Sequence, residues 1–431
     1  MSNISRRNFI SKSMTGLAGI AIAPGLYGIN RSASDTVRLG FIGLGRQAMF
    51  LLRGFISMPG VEVVAGSDVY GIKRERFEKQ VRDFYSEAKK KGNVKTYEKY
   101  QELLDRQDID AVVISTPDHW HALMAIDACR AGKDVYLEKP LTFTIREGQK
   151  LRLAVRDHNR ILAVGSQQRS DPNFQHAVRM VQEGKIGRIQ KLNACIGPPP
   201  TPYDLPKEDI PKDLNWDLWL GPNPYVHYNP RLNPPISLNP VENEKYWAEW
   251  RYFKETGGGF TTDWGAHMFD IAQWGLGMDK SGPVEIIPAG YMDFTHLTFL
   301  YSNGAVMTEE PFDEKETKGV KFWGNDGWIE VSRGHYNASD PSLFPETSDE
   351  GEGPYETRVS HHLNFIESVR SRKEPVVPVE IGHRTCTVCN LGNIAYELGR
   401  PLKWNASTES FIDDDEADKF MHRNYRHGYK L

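Results

Sequence analysis

Cysteine is scarce: four residues, at 129, 195, 386 and 389, in a chain of 431. They are too few and too unevenly placed for a disulfide framework. The chain also lacks an excess of charge of either sign, since 53 basic and 57 acidic residues leave a formal −4. Without a basic surplus there is little to hold a phosphate backbone, which argues against nucleic acid as a partner. Long apolar runs are missing too. Beyond the N-terminus every apolar stretch is short or broken by charge, so stable membrane insertion is not expected. What remains is 39% hydrophobic and 26% charged, with length for two or three domains. A soluble globular enzyme heads the classes left.

The N-terminus reads differently from the rest. Ser5-Arg6-Arg7-Asn8-Phe9-Ile10-Ser11-Lys12 carries paired arginines, and a mildly apolar run from Met14 to Ile29, broken by glycines and Pro24, follows it. Residues 1–33 resemble a twin-arginine export signal, whose removal takes the formal charge from −4 to −8. The alternative is an uncleaved tail. The expected location is the periplasm, or the cytoplasm if the signal is not used.

Val37–Ile42 is an apolar run ending at Gly43-Leu44-Gly45-Arg46-Gln47-Ala48, and an apolar-periodic segment follows through Phe55. Strand, G-x-G-x-x-A and helix in that order form a dinucleotide fingerprint. Gly43 permits the tight turn, Gly45 lets backbone approach a pyrophosphate, and Ala48 allows close packing of the helix. A second strand, Val61–Gly66, leads to Asp68, 23 residues beyond Gly45. A carboxylate there accepts from ribose hydroxyls and repels a 2′-phosphate, favouring NAD over NADP, although Lys73 and Arg74 lie close by. Alternation continues through strands at Val94–Tyr97, Ala111–Thr116, Asp134–Leu137 and Ile161–Val164. This predicts an α/β chain whose N-terminal domain, residues 36–165, is a Rossmann doubly wound parallel sheet. Gly43–Ala48, Thr116-Pro117-Asp118-His119-Trp120-His121 and Glu138-Lys139-Pro140 should converge on the cofactor. Gln167 is a further candidate contact.

Three segments carry a family resemblance: Thr116–His121, Glu138–Pro140, and Gly257-Gly258-Gly259-Phe260-Thr261-Thr262-Asp263-Trp264-Gly265-Ala266-His267. With the fingerprint, they resemble the glucose–fructose oxidoreductase, inositol dehydrogenase and rhizopine catabolism family of sugar oxidoreductases. The resemblance implies that residues 166–431 form a substrate-binding and oligomerisation α+β domain. Its open, mostly antiparallel sheet would build a homodimer or homotetramer. It also implies that Lys139 meets both nicotinamide and substrate, with a bond to Pro140 that is often cis in relatives. Asp263 and His267 would complete a catalytic trio.

Oxidising a secondary alcohol requires a base for the hydroxyl proton, and a neutral His267 suits that role. Asp263, four residues earlier on one face of a helix, would orient the imidazole or bind a second hydroxyl. Lys139 would stabilise a developing alkoxide, or share the proton transfer if burial lowers its pKa. Gln168, Arg169, Tyr246 and Trp264 are candidate substrate contacts. Residues 198–245 hold 12 of the 26 prolines and read as an arm over a neighbouring subunit or a lid. His383, Cys386 and Cys389 read as a buried structural set, and no metal is expected. The function expected is NAD-dependent oxidation of a secondary hydroxyl of a carbohydrate or glycoside, to a 3-keto sugar in one version. Redox-assisted glycoside cleavage or isomerisation with recycled NAD stays open. So does a non-catalytic sugar- or nucleotide-binding protein.

Overall fold

Short apolar β-rich runs become strands wherever both faces of a sheet can be covered. In the computed structural model β1 (Val37–Ile42), β2 (Val61–Ser67), β3 (Lys95–Tyr97), β4 (Ala111–Ile114), β5 (Asp134–Leu137) and β6 (Leu162–Val164) form one sheet. Its order is β3-β2-β1-β4-β5-β6, and every pairing is parallel. β4 and β5 are buried at every position, as a doubly covered sheet demands. The structure describes residues 36–89, 92–238, 247–345 and 354–431, without the side chains of 354–358. The export-signal segment and Tyr246 lie outside the described residues.

The connecting helices are α1 (Arg46–Ile56), α2 (Gly71–Glu87), α3 (Tyr100–Leu104), α4 (Asp118–Arg130) and α5 (Ile145–Asp157). α5 starts where a capping box dictates: Glu147 N donates to Thr144 Oγ1 at 3.3 Å, and Thr144 N to Glu147 Oε2 at 3.0 Å. The strand order reverses between β1 and β4, which places a ligand crevice at the carboxyl ends of these strands.

The chain continues through α6 (Pro172–Gln182), α7 (Trp216–Leu220), α8 (Gly259–Asp263) and α9 (Gly265–Gly275). A second sheet contains β7 (Ile189–Ala194), β8 (Glu285–Ile287), β9 (Thr298–Leu300), β10 (Val306–Thr308) and β11 (Gly319–Gly324). β12 (Trp328–Ser332), β13 (His335–Ala338), β14 (Leu402–Asn405) and β15 (Ser410–Phe411) complete it, in the order β13-β12-β11-β7-β10-β9-β8-β14-β15. It is open and mixed: β7 and β10 run parallel, and the other pairs are antiparallel. Phe174 and Val178 of α6 and Phe269 and Ile271 of α9 bury against Leu192, Phe299 and Phe322 of this sheet.

Late in the chain, α10 (Pro354–Ser371) and α11 (Val379–Leu398) return to the first sheet. Phe365 and Ile366 join the buried cluster of Phe41, Phe55 and Val113, and Cys386 joins that of Val112, Leu137 and Val164. The described part of the proline-rich segment packs on its own chain. Leu205, Leu214, Trp216, Trp219 and Tyr228 cluster with Tyr70, and Trp216 and Trp219 stack at 4.5 Å. Asn215 N donates to Val69 O at 3.0 Å and Gly71 N to Asp213 O at 2.9 Å, fixing the segment beside the β2–α2 turn. No helix among the described residues is long and apolar enough to cross a membrane.

Candidate functional site

A cavity of about 710 Å³ opens at the carboxyl ends of the parallel strands. One end is shaped by backbone. Gly43 has φ +81°, and a Cβ there would lie 2.7 Å from Thr116 Cγ2 and 2.8 Å from Thr116 N, so only glycine makes this turn. A Cβ on Gly45 would meet nothing nearer than Lys73 Nζ at 4.0 Å, leaving its backbone open to the cavity. The unpaired N–H groups of α1 begin there and favour an anion. Thr116 Oγ1 is buried in the same wall with no hydrogen-bond partner among the described residues, a position for a ligand oxygen. This cradle fits a dinucleotide.

Asp68 directly follows β2 with its carboxylate fixed, Oδ2 accepting from Leu44 N at 2.7 Å and Oδ1 from Tyr70 N at 2.9 Å. Lys73 Nζ donates to Asn233 Oδ1 at 2.8 Å, tying the proline-rich segment to the wall. Arg46 stacks on Trp247, with Cζ 4.5 Å from the ring centre. Gln47 and Gln167 both donate to Glu138 Oε1, at 2.8 and 2.9 Å. Burial pushes the Glu138 carboxyl up, and these amides and Lys139 oppose it.

The other end is assembled from side chains. Lys139 follows β5, its bond to Pro140 is cis, and its Nζ donates to Asp263 Oδ1 at 2.6 Å and Asp263 O at 2.9 Å. Arg251 Nε lies 3.5 Å from the same Oδ1. Burial raises the Asp263 pKa, but Lys139, Arg251 and Arg333 outweigh it and hold the carboxyl below its usual range. Arg333 Nη2 lies 3.1 Å from His267 Nε2. A guanidinium only donates, so Nε2 accepts, and this imidazole is neutral with its proton on Nδ1. Arg333 also stacks over Trp264 at 4.8 Å, and Trp264 meets the His267 ring edge to face at 5.7 Å. Asp118 lines the cavity between the two ends. Burial and the Asp263 charge push its pKa up to about 7, against Arg251 and Lys139.

Several expected contacts lie elsewhere. Asp263 and His267 do not share one helix, because α8 ends at Asp263 and α9 starts at Gly265. Trp264 forms the joint, its carbonyl accepting from both His267 N and Met268 N at 2.9 Å. Asp263 and His267 nevertheless line the same cavity, as do Pro117 and Trp264. His119 and His121 point away into carbonyls. His119 Nε2 is 2.9 Å from Trp219 O, and His121 Nδ1 and Nε2 are 2.7 Å from Pro140 O and 3.0 Å from Thr116 O. Burial lowers their pKa values to about 3 and about 4, so both rings are neutral and each donates to one of its neighbouring carbonyls. Arg169 is buried in ion pairs with Asp270 and Asp279, at 2.8 and 2.7 Å. Gln168 is buried outside the cavity wall, and Leu44 contributes only its N–H to Asp68.

The sequence reading missed Arg251, Arg333, Asn233 and Tyr429, all of which line the cavity. Arg251 had a faint signal, a basic residue directly after Trp250 in the tryptophan-rich stretch. Arg333, in the turn between β12 and β13, had none. His383, Cys386 and Cys389 are buried, and Cys386 Sγ donates to Thr142 O at 3.0 Å. Among the described residues no three His, Cys, Asp or Glu side chains gather as a metal site.

A parallel sheet with a dinucleotide cradle and a lysine after β5, beside two helices that bring an aspartate and a histidine to the same cavity, defines a class of nucleotide-dependent oxidoreductases. The chain belongs to the Gfo/Idh/MocA oxidoreductase family. Residues 37–166 match its NAD-binding Rossmann fold and residues 201–431 its C-terminal alpha/beta domain. Over 167 residues it is 34% identical to an alpha-N-acetylgalactosaminidase of Shewanella oneidensis, covering 34% of this chain and 36% of that protein. A glycosyl hydrolase family 109 protein of Shewanella baltica matches at 33% over the same length and the same shares of the two chains. The match thus spans about a third of these relatives.

Solved structures share the fold over most of the chain. The WlbA dehydrogenase of Bordetella pertussis, in complex with NADH and UDP-GlcNAcA, superposes with a TM-score of 0.61 at 16% identity, covering 86% of this chain and 98% of that one. A myo-inositol 2-dehydrogenase of Lactobacillus plantarum gives 0.55 at 19%, covering 85% and 99%.

Proposed function

We propose that the protein oxidises a secondary hydroxyl of a carbohydrate or glycoside with NAD. The observation that carries this reading is the Lys139–Asp263 ion pair beside a neutral His267, in the same cavity as the glycine cradle. Gly43, Gly45 and the α1 N-terminus would hold the pyrophosphate, and Asp68 the ribose hydroxyls, favouring NAD over NADP. When bound, the dinucleotide supplies a hydride acceptor. His267 Nε2 takes the hydroxyl proton, and Lys139 Nζ stabilises the charge developing on that oxygen. Asp263 contacts Lys139 and not His267, so it acts by fixing the ammonium group.

His267→Ala should lower turnover by about two to four powers of ten while NAD binding persists. The measurement is single-turnover reduction of bound NAD by a panel of hexoses and simple glycosides, followed at the nicotinamide absorbance. A variant as fast as the wild type would remove the base. A wild type that binds sugar but reduces no NAD would favour a non-catalytic binding protein.

A second reading is glycoside cleavage in which a transient ketone, 3-keto in one version, allows elimination and the dinucleotide is regenerated in each turnover. The likeness to the glycosidase-named relatives favours it, as does the wall that Asn233–Ile236 and Tyr429 place over the cavity. Purified protein carrying retained nicotinamide would support it. The same proposal has the protein exported through Arg6 and Arg7 and assembled as a homodimer or homotetramer. Lysines at both arginine positions should leave it in the cytoplasm, and unchanged periplasmic fractionation would reject the export reading.

A further inference from the structure

Beyond Asp68 the cavity runs into a group of rings that the glycine fingerprint does not supply. Asp68 N donates to Tyr97 O at 3.1 Å, which sets the residues after β3 beside the carboxylate. Tyr100 of α3 and Trp120 and Met124 of α4 line the cavity there, with the Tyr100 and Trp120 rings edge to face at 5.8 Å. Tyr429, far outside the nucleotide-binding domain, lines it too and meets Trp120 edge to face at 5.4 Å. Trp120 is fixed, because its Nε1 donates to Trp219 O at 3.0 Å and a Cβ on Gly221 would overlap its ring. The segment that carries Tyr429 is pinned at two points. The Tyr425 hydroxyl donates to Glu147 Oε1, while Oε2 of the same carboxylate accepts from Phe143 N and Thr144 N at the start of α5. Arg426 N donates to Pro222 O at 3.0 Å, and its guanidinium donates to Asp217 Oδ1 at 2.8 Å and Asp217 O at 3.0 Å. Tyr100 and Trp120 are buried, whereas Tyr429 keeps part of its surface open.

A base attached to a ribose at Asp68 needs walls of this kind, since a planar heteroaromatic ring gains from contact with aromatic faces and edges. We propose that Tyr429 is a cofactor-binding residue, which with Trp120 and Tyr100 encloses the adenine ring of the dinucleotide. Part of the adenosine site then comes from outside residues 37–166, the stretch that matches the NAD-binding domain. The inference rests on the placement of the adenosine ribose at Asp68 and is independent of the hydroxyl oxidation. Tyr429 governs how firmly the cofactor is held and has no part at the reacting end. The Arg426–Asp217 contact is a positioning device that keeps the ring over Trp120.

The test titrates the full chain with NAD, ADP-ribose and AMP, which contain adenine, and with nicotinamide mononucleotide, which does not. Affinities are read by calorimetry, and where nucleotide co-purifies its rate of release is read as well. Tyr429→Ala should weaken the three adenine ligands alike, by about tenfold or more, and leave the mononucleotide within about twofold. Tyr429→Phe keeps the ring and should match the wild type. A further readout needs no substitution: etheno-AMP, a fluorescent adenine analogue, should lose emission on binding as its ring meets the aromatic walls. Unchanged emission with measurable binding would overturn the enclosure. Equal losses for the adenine ligands and the mononucleotide would mean that Tyr429 acts only through the fold, and would overturn the inference. Adenine ligands that ignore Tyr429→Ala while Asp68→Ala weakens them would also overturn it, and would leave the dinucleotide reading standing. Adenine ligands that ignore both substitutions would overturn the ribose placement at Asp68, and this inference with it.

Discussion

The two ends of the cavity are built by opposite means. At the dinucleotide end the shape comes from backbone: the Gly43 turn, the open Gly45, and an Asp68 carboxylate held by two N–H groups. At the other end side chains do the shaping: Lys139 and Arg251 pair with Asp263, while Arg333 hydrogen-bonds His267 and stacks over Trp264. Fixed backbone suits a ligand that is the same in every turnover. Side chains that can exchange partners suit a ligand that must be recognised, react and leave. Damage to the first end should therefore act on binding, and damage to the second on rate.

The sharpest way to break this division is Gly43→Ala. The added methyl would strike Thr116 N and Ser115 C, at 2.8 and 2.9 Å, and neither backbone atom can yield easily. With an unfavourable φ as well, dinucleotide affinity should fall by about a hundredfold or more. Sugar binding should be far less affected. The check is a pair of titrations, and equal loss of both ligands would mean that the ends are not separable. Asp68→Ala is the milder test of the same end. It removes the ribose acceptor and the repulsion of a 2′-phosphate, so NAD should weaken by about tenfold and NADP by less. An unchanged NAD-to-NADP ratio would reject the assignment of Asp68.

The same contrast explains what could be read from the sequence. Gly43, Gly45 and Asp68 were legible because their work is local: a turn, a helix start and a strand end set by neighbours in the chain. The parallel strands were legible for the same reason, their apolar runs matching the observed ones to within a residue or two. Lys139, Asp263 and His267 were singled out by motifs and line one cavity, yet their mutual geometry was not legible. Trp264 breaks the expected single helix, and Asp263 turns to Lys139 instead of the imidazole. His119 and His121 were expected at the cofactor because their segment follows a strand end, and nothing in the sequence signalled the carbonyls that their rings reach. Each instead donates to a carbonyl that only the folded chain brings near. Arg333 was invisible, since a turn between two strands of the second sheet gives no local hint of a histidine 66 residues earlier. The return of Phe365 and Ile366 to the first sheet was hidden likewise by distance along the chain.

The smallest expected effect lies at Asp118, where the two ends meet. Burial is the largest influence on this carboxyl, and it carries the pKa from 3.8 to about 7 in spite of Arg251 and Lys139. The folded state therefore holds the proton more tightly than the unfolded chain does. This stabilising contribution is complete below about pH 4 and is lost as the pH rises through about 7. Asparagine has no proton to lose. Asp118→Asn should thus match the wild type at about pH 4, apart from a fixed offset, and gain steadily to about pH 8. The gain should reach about 1 kcal/mol, or a few degrees in Tm, with relaxation around Lys139 absorbing part of the formal shift. Melting both proteins across that range without cofactor measures it. A difference in Tm that stays constant with pH would show that Asp118 is already ionised in the folded protein, placing a second full negative charge beside Lys139 and narrowing the contrast between the two ends.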